Sequence, residues 1–373
     1  MNILMTLANP FTHDPRVYNE ARSLVKAGHH VTVLAWDKKK ENPLIEIKDE
    51  INIVRCYNSK FMEILPYNII KLYFWWNKGY KEALKLQKKE QFNVIHCHDL
   101  DTLPIGVKLK KKLSLPLIYD AHEIWGYMVE NDIPKPFANY FLWKENHLLK
   151  YVDKIITVNE PLKEYFCKLI NRQITIVMNC KSSENINYIP TKNKKFTIIY
   201  IGILQKTRFL LELIDLAKEL PEINCIIAGK GKASFIEVLK NKCFKIQNVD
   251  FIGKIPMDEV IKRTKKADVI VCLFDPNSKN NQVGLPNKVF EAMVCGKPII
   301  CTKGIYSGDF VLKEKCGLAV NYNRQSLKEA IIKLIDNPKL CEELGKNGIK
   351  AAKVKYNWKI QEKKLLKIYK ELK

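Results

Sequence analysis

Short apolar runs rich in β-branched residues alternate along the chain with longer stretches whose apolar residues recur every three or four positions. A half-exposed strand alternates apolar and polar residues, whereas a strand covered on both faces, as in a parallel sheet, reads as an unbroken apolar run. The first half holds such runs at 3–8 (ILMTLA), 31–36 (VTVLAW), 51–56 (INIVRC), 94–97 (VIHC), 116–120 (PLIYD), 154–158 (KIITV) and 174–178 (ITIVM). A second series begins at 196–202 (FTIIYIG) and continues through NCIIAG, VDFIG, DVIVCLF, KPIICT and GLAV. Strand and helix patterns taken in turn signal βαβ units. Between the two series, residues 181–195 (KSSENINYIPTKNKK) are polar and interrupted by Pro190, the composition of an interdomain linker. The pattern predicts two doubly wound α/β domains, residues 1–185 and 186–355, and a closing helix over 356–373 that returns to the N-terminal domain. In such an architecture ligands bind outside the carboxyl ends of the strands, and the cleft between the domains is the expected active site.

Composition narrows the class. A chain of 373 residues exceeds one ordinary core and suits two domains of roughly 150 to 200 residues. Hydrophobic residues at 47% argue for a globular protein. No apolar run of about 18 residues free of charge occurs, so no transmembrane helix is predicted. The opening MNILMTLANP reads as a buried strand rather than a signal peptide, and a cytoplasmic location is expected. Eleven cysteines include no C-x-x-C pair, and Cys97, Cys225, Cys272 and Cys301 lie inside strand-like runs. They read as buried small hydrophobes in a reducing compartment. Lys and Arg number 63 against 40 Asp and Glu, a net charge of +23. That field favours phosphorylated ligands, anionic membrane or nucleic acid. The absence of a zinc finger, RNA-binding signature or basic zipper makes nucleic acid the least expected partner.

Candidate chemistry is densest in GLPNKVFEAMVCGKPII, residues 284–300. Pro286 suits a first helical turn and Gly296 a position just past a helix end. Lys288 and Glu291, three apart, share one face. A helix start is an anion site, and a carboxylate one turn further in can accept from a sugar diol, so a nucleotide is a candidate ligand. An ordinary amphipathic helix with a solvated Lys/Glu pair explains the same pattern.

Several stretches together resemble glycosyltransferase family 4, a group of retaining, nucleotide-sugar-dependent enzymes of the GT-B fold. The resemblance runs nearly end to end through THDPRVYNEARSLVKAGHHVTVLAW, VIHCHDLDTLPIG, IYDAHE, YIGILQKTR and GLPNKVFEAMVCGKPII. It implies two Rossmann-like domains facing across a cleft, a nucleotide-sugar donor, and a glycan or lipid-linked acceptor. It also implies that no bound metal or other cofactor is required. Glu291 would hold the ribose hydroxyls, and the backbone of Gly284, Leu285, Pro286, Asn287 and Lys288 would contact the donor. Many members carry a glutamate eight positions before Glu291, where this chain has Val283, within a P-N-K-x-x-E pattern. Gly202 would let backbone approach the diphosphate. Lys206 and Arg208 would neutralise it, with Arg208 the principal cation because Ile203 stands where relatives often have arginine. Gly253 to Ile255 would hold the base. His122 would lie against sugar and acceptor and polarise a hydroxyl, with Glu123 beside it. His122, Arg208 and Lys288 are thus the expected catalytic residues.

HCHDLD admits three readings. His96, His98 and Asp99 can ligate a metal; Asp99 and Asp101 can form the D-x-D pair of the other transferase fold; or His98 and Asp99 shape an acceptor pocket, the preferred reading. Asp14 and Pro15 suit a helix cap and first turn, and Arg16 would point from there toward an anionic acceptor group or the diphosphate. Aromatics interleave with lysines in 61–90 and 133–152, a pattern that suits either a membrane interface, each cation adding about 1 kcal/mol on anionic lipid, or buried helix faces. The function implied is sugar transfer to an acceptor hydroxyl of a lipid-linked or cell-surface glycan precursor. A sugar-nucleotide epimerase of the same fold, with Glu123 and Asp99 as acid and base, or a non-catalytic basic binding module are the alternatives.

Overall fold

The computed structural model describes residues 1–373 except His13, Pro66, Tyr67, Asn185 and Lys373, together with all side chains of the described residues but that of Asn68. Small parts of the THDPR loop, the first aromatic stretch and the linker therefore lie outside the described residues. The chain divides into an N-terminal unit, Met1–Met178 with Gln361–Lys373, and a C-terminal unit, Asn179–Ile360.

In the N-terminal unit the strands are β1 (Asn2–Leu7), β2 (His30–Asp37), β3 (Ile45–Lys48), β4 (Ile51–Tyr57), β5 (Val94–His98), β6 (Leu117–Ala121), β7 (Lys154–Thr157) and β8 (Ile174–Ile176). They form one sheet in the order β3-β4-β2-β1-β5-β6-β7-β8, parallel apart from the antiparallel β3–β4 pair. The order reverses between β1 and β5, where the carboxyl ends splay and leave room for a ligand. The apolar pattern does not register β3, because Ile45 and Ile47 point outward at 73% and 72% exposure and the strand merely covers an edge. The helix Pro15–Lys26 starts as its sequence suggests: the Asp14 carboxylate accepts from Val17 N–H, and Pro15 occupies the first turn. Asn159 caps the helix Glu160–Leu169 in the same way. Beneath the helix Asn68–Glu90, Trp75 stacks on Trp36 of β2 with ring centroids 5.2 Å apart. The final helix, Trp358–Lys370, buries Leu365, Ile368 and Tyr369, and its Gln361 side chain accepts from Met178 N–H.

In the C-terminal unit β9 (Phe196–Leu204), β10 (Ile223–Gly231), β11 (Val249–Gly253), β12 (Val269–Cys272), β13 (Ile299–Thr302) and β14 (Gly317–Val320) make an all-parallel sheet. Its order is β11-β10-β9-β12-β13-β14, reversing between β9 and β12. Where β9 and β10 run out, Gly202 and Gly229 are paired in register with φ of +156° and +146°. A Cβ on Gly229 would lie 1.7 Å from the Gly202 carbonyl oxygen, so only glycine permits this approach. All eleven cysteines are free thiols, nine of them buried, consistent with their reading as small core residues.

Candidate functional site

The helix Asn287–Cys295 follows the carboxyl end of β12, at the reversal point of the C-terminal sheet. Pro286 lies one residue earlier than expected: its ψ of 147° is extended, so it caps the helix instead of forming the first turn. No side chain caps this end, and the buried Asn287 Oδ1 has no partner. Gly296 ends the helix with φ +63°, as a left-handed C-cap. Lys288, only 9% exposed, places its ammonium 4.4 Å above the Tyr200 ring. There it presses on β9: a Cβ on Gly202 would come within 2.3 Å of Lys288 Nζ. Glu291, one turn on, binds Lys181 at 3.1 Å, so its carboxylate already has a cationic partner that the sequence does not advertise.

Arg208 enters from the short turn Lys206–Arg208 after β9. Its guanidinium stacks 3.6 Å from the centre of the Phe274 ring, and Nη1 donates to Asn281 Oδ1 at 3.2 Å. Such stacking fixes the plane of the fork while leaving its charge uncompensated. Burial pushes the Cys272 thiol up, but a hydrogen bond from Cys301 and the charges of Lys288 and Arg208 bring it below its ordinary value. Glu291 acts on the same thiol in the opposite sense, so Arg208, Lys288 and Glu291 all lie within electrostatic reach of the end of β12. Lys206, expected beside Arg208 at the diphosphate, is exposed. Gly284 and Leu285 lead into the helix half-buried. Gly253 closes β11 with φ +77°, and Ile255 follows it, both at the sheet edge and two strands from the reversal point. Gly229 and Gly231, at the end of β10, were not singled out by sequence; their G-x-G spacing was the available signal.

The second group gathers at the carboxyl ends of β5 and β6. His122 follows β6, and each ring nitrogen meets a carboxylate: Nδ1 lies 3.1 Å from Asp99 Oδ2 and Nε2 3.0 Å from Asp120 Oδ2. Asp99, held in the left-handed region at φ +59°, also accepts from the His122 backbone N–H at 2.8 Å. Burial alone would lower the His122 pKa, but Asp99 and Asp120 overcome it and hold the value well above that of a free imidazole. Both ring nitrogens thus face carboxylate oxygens, an arrangement that favours the protonated ring.

Arg16 departs from expectation more sharply. Its side chain is buried, donating to Asp120 through Nε at 2.9 Å and Nη2 at 2.7 Å and to the Val177 carbonyl through Nη1 at 2.6 Å, with Glu20 3.1 Å away. The fork is consumed by the protein's own acids and is not offered to an acceptor. His98 is likewise internal, with Nδ1 3.3 Å from Asp120 and 3.4 Å from His122. Asp99 spends both oxygens on His122. Glu123 stands next in sequence at the same strand end, half-buried. Asp120 and Glu20, absent from the expected set, are its hub; their burial inside an apolar-looking strand and a capped helix concealed them. Glu20, His96, His98 and Asp120 each bring one potential ligand atom within 4.8 Å of the others.

The family models match both units. Residues 16–180 match the model described as Glycosyltransferase Family 4, and residues 182–351 the model described as Glycosyl transferases group 1. An uncharacterised glycosyltransferase of Methanocaldococcus jannaschii is 27% identical over 79% of this chain and 80% of its own. Sucrose-phosphate synthase from Thermosynechococcus elongatus superposes with a TM-score of 0.79 at 18% identity, covering 100% of this chain and 99% of its own. Anabaena HepE, solved in complex with UDP-glucose, gives 0.77 at 14% identity with both chains fully covered. With two parallel α/β sheets, each reversing order at its centre, and both halves matched by these models, the chain belongs to the family 4 glycosyltransferases of the GT-B fold.

Proposed function

We propose that the enzyme transfers a sugar, with retention of configuration, from a nucleoside-diphosphate sugar to a hydroxyl of a lipid-linked or cell-surface glycan precursor. The observation that carries the reading is the Lys288 ammonium pressed against bare backbone at Gly202, beside the stacked Arg208. Two fixed cations and the uncapped start of the helix Asn287–Cys295 suit a diphosphate whose charge grows as the glycosidic bond breaks. Glu291 accepts from the ribose hydroxyls while sharing its charge with Lys181. The departing phosphate takes the acceptor proton on the face it leaves, so no protein carboxylate is needed as nucleophile and no metal ion at the donor. The HepE complex holds UDP-glucose, which favours a uridine donor here.

A lipid-linked acceptor is supported by the N-terminal unit. The helix Lys135–Leu149 exposes Phe137, Tyr140 and Trp143 at 52%, 43% and 59%, with the exposed Lys135 and Lys150 at its ends. Among the described residues no helix is long and apolar enough to cross a membrane, so this contact is made at the surface of the lipid layer. The test is incubation of the purified enzyme with a panel of UDP- and GDP-sugars. Release of nucleoside diphosphate that depends on Arg208 is the expected result. Interconversion to another sugar nucleotide without release identifies an epimerase, and no turnover with any donor rejects the assignment.

A further inference from the structure

Beneath His122 lies a group of side chains that the transfer reaction does not use. Glu20, from the helix Pro15–Lys26, and His96 and His98, from alternate positions of β5, are completely or almost completely buried. Three of their polar atoms, Oε2 of Glu20, Nε2 of His96 and Nε2 of His98, accept or donate no hydrogen bond, while Glu20 Oε1 faces Arg16 Nη2 at 3.1 Å. Buried polar atoms without partners are costly, and a folded protein seldom tolerates them in a cluster. The opposite nitrogens are spoken for. His96 Nδ1 lies 2.7 Å from the Tyr369 hydroxyl, and His98 Nδ1 faces Asp120 Oδ2 at 3.3 Å. With Nδ1 donating to those oxygens, both rings turn a bare Nε2 lone pair inward, the arrangement by which outer partners prepare histidines for a metal ion. Asp120 is such an outer partner, its oxygens occupied by Arg16 and His122.

We propose that Glu20, His96 and His98 form a structural site for one divalent ion of the zinc type, tying the first helix to β5 behind the His122 group. Two imidazole nitrogens and a carboxylate are a zinc-type donor set, and a water completes the tetrahedron. Glu20 Oε2 and His96 Nε2 are 3.9 Å apart, against about 3.3 Å between ligands on a tetrahedral ion with bonds near 2.0 Å, so a shift of a few tenths of an ångström by each side chain closes the site. Arg16 faces the other oxygen, Oε1, at 3.1 Å and leaves Oε2 available.

The experiment needs no substrate, so its outcome is independent of the proposed reaction. Full-length protein stripped with a chelator is titrated with Co²⁺ and read by visible absorbance, metal content and melting temperature. The expected result is one equivalent bound, tetrahedral d–d bands without a thiolate charge-transfer band, displacement by Zn²⁺, and a rise in Tm of at least about 5 °C. Glu20→Gln and His98→Asn, checked for folding by circular dichroism, should each lose the bound equivalent. Wild-type protein that takes up no Co²⁺ overturns the proposal whatever the variants do. A thiolate-type spectrum overturns it too, because the ion then sits on cysteine, as does uptake unchanged in Glu20→Gln.

Discussion

A single carbon atom separates Gly202 from alanine, and that carbon would lie 2.3 Å from the ammonium of Lys288. Gly202→Ala must therefore push Lys288 off the backbone and force a side chain into φ +156°, and we expect affinity for the donor's nucleoside diphosphate to fall about tenfold or more in titration calorimetry. Arg208→Ala and Glu291→Ala should each lower kcat/KM by about a hundredfold with the circular dichroism spectrum unchanged; turnover near wild type would strip either residue of its assigned role. Arg16 belongs to a different class. Its removal leaves Asp120 ionised and without its main partner in the interior, so Arg16→Met should cost about 3 to 5 kcal/mol in urea unfolding, rather than act mainly on acceptor KM. The contrast marks where residue-level reading of sequence stops. Spacing shows that Arg16 begins a helix and that His98 and Asp99 end a strand. It does not show that these groups face one another, because the pairings His122–Asp99 and Arg16–Asp120 span 23 and 104 positions. Lys181 on Glu291 is hidden for the same reason.

Elements were far easier to read than contacts. Every apolar run singled out in the sequence became a parallel strand, because a strand covered on both faces has no polar positions to confuse the pattern. The one strand that escaped, β3, is the antiparallel edge, whose isoleucines face water. Helix ends followed their local signals at Asp14 and Gly296, while Pro286 slipped by one position because its extended ψ serves as well before a helix as its φ serves within one. Burial within a helix is less visible. The helix Lys135–Leu149 carries Glu145 into the core, where Tyr119 of β6 donates to one oxygen and the other has no partner. Burial pushes this carboxyl up to about 8 from an unfolded value of 4.5. The folded chain thus prefers the protonated acid. Stability from this residue is greatest below pH 4.5, falls by at most about 1.4 kcal/mol per pH unit as pH rises toward 8, and is flat above. Glu145→Gln keeps the hydrogen bond and cannot ionise, so the difference between wild-type and variant unfolding free energies should grow in the variant's favour across that window. A difference that does not change with pH would mean the acid is ionised in the folded protein.

At the scale of the whole molecule, part of the excess of 63 basic over 40 acidic residues lies beside exposed rings in the N-terminal unit. Lys144 of the helix Lys135–Leu149 lies 4.5 Å over the Trp76 ring, joining that helix to Asn68–Glu90. Phe61 and Tyr73, 56% and 61% exposed, belong to the aromatic stretch on and just before Asn68–Glu90. Nearby, Lys81, Lys108, Lys111 and Lys112 line a shallow concavity with Asn77 and Tyr80. Exposed rings beside lysines suit a bilayer of anionic lipid, where rings enter the headgroup layer and each cation adds about 1 kcal/mol. The sequence left this stretch open between membrane contact and buried helix faces. The structure divides it: Trp75 and Trp76 are core, Tyr73 and Trp143 are surface, as helical periodicity requires once the buried side is known. The enzyme should therefore co-sediment with vesicles containing phosphatidylglycerol and only weakly with pure phosphatidylcholine. Raising salt from about 50 to 300 mM should weaken the association, since screening shortens the reach of the lysines. The triple variant Phe137→Ser, Tyr140→Ser, Trp143→Ser should reduce binding at least about tenfold at constant salt, because ring insertion is not screened. Binding that the triple variant leaves intact would show that the lysines alone hold the vesicle, and would remove the support that the rings give to a lipid-linked acceptor.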